Sequence, residues 1–225
     1  MSWFAELWNH PVIQHKLPTA TLETLQMVGL SSLLTLLLGL PLGLLLVSTA
    51  RGGLTASTTV NRVVGFVANI VRSLPFLILM ISVIPFTRLV VGTSLGWKAA
   101  VVPLTIGAIP FYARLVETAV RDVNPGKVEA ARVIGATRRG IVVQVLVREA
   151  LPALVASFTV TVIALVGYSA MAGVIGGGGL GALAISYGYQ RFDPIVMVAC
   201  VVVIVVIVAV VQAVGDAVAR RLDHR

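Results

Sequence analysis

Five apolar stretches, each separated from the next by polar residues, set the rhythm of the chain, at about 25–47, 63–86, 99–119, 153–175 and 194–214. At 1.5 Å per helical residue each can cross a hydrocarbon core of roughly 30 Å. The pattern predicts an all-α membrane protein, with residues 1–225 forming a single transmembrane domain of five transmembrane helices. The first span carries Thr35, Gly39 and Gly43 every four residues, a small-residue face for close helix packing. The second is amphipathic, with Asn61, Gly65, Asn69 and Arg72 within one side at 100° per residue. An arginine at a span centre costs roughly 2.5 to 3.5 kcal/mol on the insertion scale. Arg72 should therefore face the bundle interior or a cavity, or snorkel to an edge, and either a packing role or a place on a pathway satisfies that demand. Pro75 is expected to kink this helix by removing one backbone bond.

The third span places Arg114, Glu117 and Arg121 at spacings of three and four, where they can pair. In the fourth, Ser157, Thr161, Ala164, Tyr168 and Met171 fall within a narrow arc, a stripe that either packs against a neighbour or faces water. The last span, from Ile195 to Val211, is an unbroken apolar run that inserts on its own hydropathy. Ahead of the first span, residues 1–20 hold Trp3, Trp8 and Lys16 and suit a segment lying at the membrane surface. The first span is too long, and too little preceded by charge, for a cleaved signal peptide.

One connection, 121–152, is patterned rather than merely polar. Asn124 can cap a helix with Pro125 in its first turn; Gly135 can end that helix in the left-handed conformation, and Thr137 offers a second cap. The segment reads as two short helices joined by a bend, a shape suited to docking.

Composition sharpens the class. Of 225 residues 58% are hydrophobic and only 12% charged, about half the share of a soluble domain. The net charge of +8 is spread between apolar runs rather than gathered on a soluble face, which argues against nucleic acid as a partner and for a lipid bilayer with a positive-inside bias. Cys200 stands alone in an apolar run and behaves as a small hydrophobe. His10, His15 and His224 lie near the termini, so no metal site or catalytic triad within the spans is supported, and the chain reads as a non-enzyme. The run Gly176 to Gly181 satisfies a dinucleotide-type glycine string, but no acidic residue follows about 20 positions on, and no Lys-Ser or Lys-Thr follows its last glycine. It reads as flexible backbone beside the fourth span, with no nucleotide cofactor bound by this chain; Tyr187, Tyr189 and Arg191 form an interfacial rim after it.

With the N-terminus outside, the inner connections hold Arg51, Arg121, Lys127, Arg132, Arg138, Arg139, Arg148, Arg220, Arg221 and Arg225, against Lys16, Arg88, Lys98 and Arg191 on the other side. That bias places the C-terminus and the 121–152 loop in the cytoplasm.

Glu129-Ala130-Ala131, then Gly135 after three residues, then Leu151-Pro152, resembles the cytoplasmic coupling loop of bacterial ABC-importer permeases, with Arg148 standing where relatives often carry Pro. The stretches RSLPF, IPFTRLVVGTSLG, AAVVPLTIGAIPFYAR, LVGYSAMAGVIGGGGLG and YGYQRFD extend the resemblance over nearly the whole chain, toward membrane subunits of bacterial methionine-uptake ABC importers. The resemblance implies an ABC type I importer permease fold in the bacterial cytoplasmic (inner) membrane. It also implies a homodimer, two cytoplasmic ATP-binding subunits that use ATP and Mg, and an extracytoplasmic methionine-binding lipoprotein. For coupling it points to Glu129, Ala130, Ala131 and Gly135; for a translocation path or gate, to Tyr168, Ser169 and Met171 together with Ser157, Thr161 and Arg72. Two rivals stand beside this reading: an ABC permease for another amino acid or small solute, and a secondary transporter. The second usually needs ionisable groups near the midplane, and only Arg72 comes close.

Overall fold

The computed structural model describes residues 10–223, which are almost wholly helical. In chain order the helices are α1 (Pro11–His15), α2 (Leu17–Thr49), α3 (Thr58–Ser73), α4 (Phe76–Ser82), α5 (Ile84–Val91), α6 (Trp97–Arg121), α7 (Pro125–Val133), α8 (Arg138–Val174), α9 (Gly179–Leu183) and α10 (Pro194–Leu222). Two stretches are wound as π-helix: Ile141–Val147 within α8, and Ala184–Tyr189 continuing α9. Among the described residues α2, α6, α8 and α10 are each long and apolar enough to cross a membrane, and α3 with α4 makes a fifth candidate as a broken pair. Their outward faces are apolar, as at Leu33, Leu37, Val63, Phe66, Val202 and Val206, the surface that lipid tails solvate without cost.

The second span departs from expectation. Instead of a kinked helix over 63–86, the chain breaks at Leu74-Pro75 into two helices, α3 and α4. Leu74 is extended (φ −79°, ψ 131°), the conformation that a following proline favours, and Pro75 itself caps α4. α5 is then a separate helix, ended by Gly92 at φ +81°. The fourth span departs in the other direction. The second short helix of the 121–152 loop does not stop near Leu151-Pro152; α8 runs unbroken for 37 residues from Arg138, through Arg148 and Pro152, to Val174. Ala150 and Leu154, on either side of Pro152, are buried in one core cluster, so packing offsets the missing backbone bond.

The chain divides into two compact units, and each long helix gives part of its length to either one. Unit 1 takes in the chain up to Leu33, Pro75–Ile106 and Val162–Val211. Its core joins Ala20, Leu180, Leu183, Val196 and Cys200, with Val12, Ile13 and Leu17 packed against them. Of the expected surface segment, Val12, Ile13, Leu17 and Ala20 pack into this core while Gln14, His15, Lys16 and Thr19 are exposed; Trp3 and Trp8 fall outside the described residues. Unit 2 comprises Leu34–Leu74, Gly107–Thr161 and the chain from Gln212. Here Tyr112, Val116, Val120, Leu146, Ala150 and Leu154 form the core, and Phe158 meets Tyr112 edge-on at 5.5 Å. The small face of α2 is used as its spacing predicts: a Cβ on Gly43 would sit 2.6 Å from Val116 of α6, so only glycine allows that approach.

Candidate functional site

The 121–140 segment builds its own turn. The Asn124 side chain accepts from the Gly126 N–H at 2.8 Å, satisfying a donor left over at the start of α7. At its end Gly135 takes φ +79°, and the Ala136 N–H reaches back to the Ala131 carbonyl at 3.0 Å, closing the last turn. Thr137 then accepts from the Gly140 N–H at 3.1 Å and starts α8. Val128 packs against the unit 2 core, and Lys127 pairs with Glu149 of α8 across the surface.

Of the residues expected to couple, Glu129, Ala130 and Gly135 are exposed. Ala131 is not. It is 7% exposed, buried within its own chain on a helix that packs against the π-wound part of α8. The tip is instead occupied by Val133 and Ile134, 87% and 84% exposed, a bare aliphatic pair on an otherwise polar segment. Sequence reasoning passed over them, although two β-branched apolar residues beside a helix-ending glycine are a readable signal of a surface meant to be covered.

The expected pathway residues behave differently from one another. Thr161 is buried, with its hydroxyl donating to the Ser157 carbonyl at 2.8 Å, and Ser169 is buried, donating to the Val166 carbonyl at 2.7 Å. Both hydroxyls are spent on their own helix. Ser157 is half-buried. Met171 is exposed, and the Tyr168 ring stacks on Phe76 of α4 with centroids 4.4 Å apart. Arg72 lines a cavity of about 300 Å³ together with Phe111, Arg114, Leu115, Glu117 and Arg121. Within it Glu117, 4% exposed, pairs with both Arg114 and Arg121 at 2.6 Å, so these spaced charges do meet. Arg114 also donates to the Gly65 carbonyl and the Asn69 side chain, which accounts for the polar side of α3.

The glycine run is not flexible backbone. Gly178 and Gly179 hold positive φ of 77° and 73°, and the turn they make points the first N–H groups of α9 at α2. The Glu23 carboxylate accepts from the Gly179 N–H at 2.7 Å, and Thr24 Oγ1 from the Leu180 N–H at 2.8 Å. The amides that a phosphate would need at a helix start are thus taken by the chain itself. Beyond the run, Lys16 donates to the Tyr187 hydroxyl and Arg191 lies over the Tyr187 ring at 4.3 Å. The hydrogen bond from Lys16, more than any other influence, lowers the Tyr187 hydroxyl below the usual phenol range.

Comparison with known proteins adds the following. A family model described as "Binding-protein-dependent transport system inner membrane component" matches residues 39–225. A probable D-methionine transport system permease protein of Vibrio cholerae is 52% identical, over 92% of this chain and 92% of its own length. A methionine import system permease protein of Bacillus subtilis is 46% identical over 98% and 95%. Among solved structures, an inward-facing conformation of the MetNI methionine ABC transporter is similar at a TM-score of 0.93 and 44% identity, covering 96% of this chain and 100% of that one.

Proposed function

The chain belongs to the family of binding-protein-dependent transport system inner membrane components, and from that membership we infer that it is the membrane-spanning subunit of an ATP-driven ABC importer whose cargo is methionine. It is a transport component rather than an enzyme, and ATP is hydrolysed on separate subunits. The methionine assignment rests on relatives named for that cargo at 46 to 52% identity.

The coupling role is carried by one observation. A locally capped helix and bend present Glu129, Ala130, Val133 and Ile134 outward, while Val128 and Ala131 anchor the same helix inward. Such a surface is rigid and half apolar, with one carboxylate at its edge, and suits a partner that must push on the spans. In this reading two copies of the chain pair as a homodimer, two ATP-binding subunits using ATP and Mg dock on the two bends, and an extracytoplasmic methionine-binding lipoprotein delivers the cargo. The N-terminus lies outside and the bend faces the cytoplasm, as the distribution of Lys and Arg favours. Glu129, Ala130 and Gly135 belong to the docking face, Ala131 supports it from behind, and Arg72, Ser157, Thr161, Tyr168, Ser169 and Met171 are the path or gate residues.

The test is reconstitution. The chain, assembled with its ATP-binding and binding-protein subunits in vesicles, should accumulate labelled methionine only when ATP is supplied to the subunits that hydrolyse it. Accumulation driven by a proton gradient without ATP would overturn the reading in favour of a secondary transporter.

A further inference from the structure

The 300 Å³ cavity of unit 2 carries more cation than the chain neutralises. Glu117 gives both carboxylate oxygens away, Oε2 to Arg114 Nη1 and Oε1 to Arg121 Nη2, each at 2.6 Å. The further partners of Arg114, the Gly65 carbonyl at 3.1 Å and Asn69 Oδ1 at 3.0 Å, are neutral. Its Nε is buried without a hydrogen-bond partner among the described residues. Arg72 lines the same cavity, and among the described residues no carboxylate lies within ion-pair distance of it. Three guanidiniums against one carboxylate leave a formal excess of two positive charges.

One arginine would satisfy Glu117. A second and third, Arg72 exposed and the Arg121 side chain 55% exposed, face the same space and repel each other unless an anion joins them. A guanidinium offers paired N–H groups in the plane that a carboxylate matches. The rest of the wall is Phe111, Leu115 and Thr118, and an aromatic ring is a favourable neighbour for a thioether. The volume lies at the small end of the range for small-molecule sites.

We propose that this cavity is a carboxylate seat for the amino-acid cargo: Arg72 binds the α-carboxylate, the Glu117 pair holds Arg114 in position beside it, and Phe111 and Leu115 take the apolar side chain. The proposal rests on the methionine reading given above. A phosphate on an acidic lipid headgroup shares the carboxylate's chemistry, so the test must separate the two sources.

The experiment uses the assembled complex in vesicles of phosphatidylcholine alone and in vesicles that also contain phosphatidylglycerol, with the unsubstituted chain, Arg72→Gln and Arg72→Lys, all checked for co-purification of every subunit. The expected result is an initial rate of ATP-driven methionine uptake about tenfold or more lower for Arg72→Gln in both lipids, the size of one lost charge-assisted hydrogen bond. Arg72→Lys keeps the charge but not the paired N–H groups, and should recover only part of that loss, falling between Arg72→Gln and the unsubstituted chain, which a purely steric role would not allow. Full uptake by Arg72→Gln overturns the seat, as does an equal loss in both variants with the complex intact. A loss confined to vesicles with phosphatidylglycerol assigns the cavity to lipid phosphate and overturns the cargo assignment. Failure of the unsubstituted complex to move methionine overturns the methionine reading itself, a result distinct from any difference between variants.

Discussion

α7 and α9 face the same physical problem and solve it in opposite ways. Each is a short helix entered through proline or glycine, and each must satisfy amide donors that its first turn leaves over. At α7 the donor goes to Asn124, two residues from Gly126. At α9 the donors go to Glu23 and Thr24, 156 positions away in each case. The consequence is exposure. α7, whose ends are closed by its own neighbours, can stand at the surface and offer a face to another chain. α9 needs α2 to complete it, and Gly179, Leu180, Gly181 and Leu183 are all buried. A locally closed helix is free to dock, whereas a remotely closed one belongs to the core.

The largest contrast should appear on adding side chains. In Gly181→Val the new Cβ would meet the Ala170 backbone, which cannot give way as a flexible side chain can. Overpacking of that kind costs about 1–3 kcal/mol and occasionally more. Ala130→Val, on the exposed side of α7, should stay within about 0.5 kcal/mol. Thermal unfolding of the purified chain in detergent measures both. Similar midpoints for the two variants would erase the distinction between a core helix and a free-standing one.

Removal of the caps is a finer test. Glu23→Ala leaves the Gly179 amide without its charged acceptor and should cost about 1.5–3 kcal/mol. Asn124→Ala removes a neutral cap from an exposed helix, which water can partly replace, at about 0.5–2 kcal/mol. The order matters more than either value. If Asn124→Ala lowers the unfolding midpoint more than Glu23→Ala, the remote cap is decoration and α9 holds its place by packing alone.

The same contrast explains how much could be read in advance. Local features were legible: the apolar spans, the Asn124 and Thr137 caps, the Gly135 ending and the meeting of Glu117 with its two arginines all follow from spacing within a few residues. What depended on distant partners was not. Nothing near Gly179 announces that Glu23 will cap it, so an ordered turn looked like flexible backbone. Pro75 and Pro152 look alike in sequence, yet one ends a helix and the other does not. Ala150 and Leu154 hold the chain around Pro152 in a core, whereas Leu74 and Leu77 beside Pro75 are exposed, and no such burial offsets its broken bond. Ala131 could not be placed in advance for the same reason: a small residue suits close approach, and only the fold shows that it is buried within its own chain.

The burial of Ala131 decides how the docking face should be probed. Bulking Ala131 would disturb the packing of α7 on its own chain, so a loss of transport in Ala131→Leu would mix lost stability with lost coupling. Ile134, 84% exposed, is the cleaner probe. Ile134→Asp changes a side chain that is almost wholly exposed, and its effect on the unfolding midpoint should be the smallest of the series, within about 0.5 kcal/mol. Yet it sets a charge in the aliphatic pair at the tip. If Val133 and Ile134 are covered by the ATP-binding subunit, burying that charge unpaired should weaken subunit co-purification and lower ATP-driven uptake by about tenfold or more. Glu129→Gln, also silent in stability, should reduce uptake less, because a rim charge contributes little to affinity. Unchanged uptake and co-purification in Ile134→Asp would mean that the bend is exposed without being docked, and that local closure of α7 serves only its own chain.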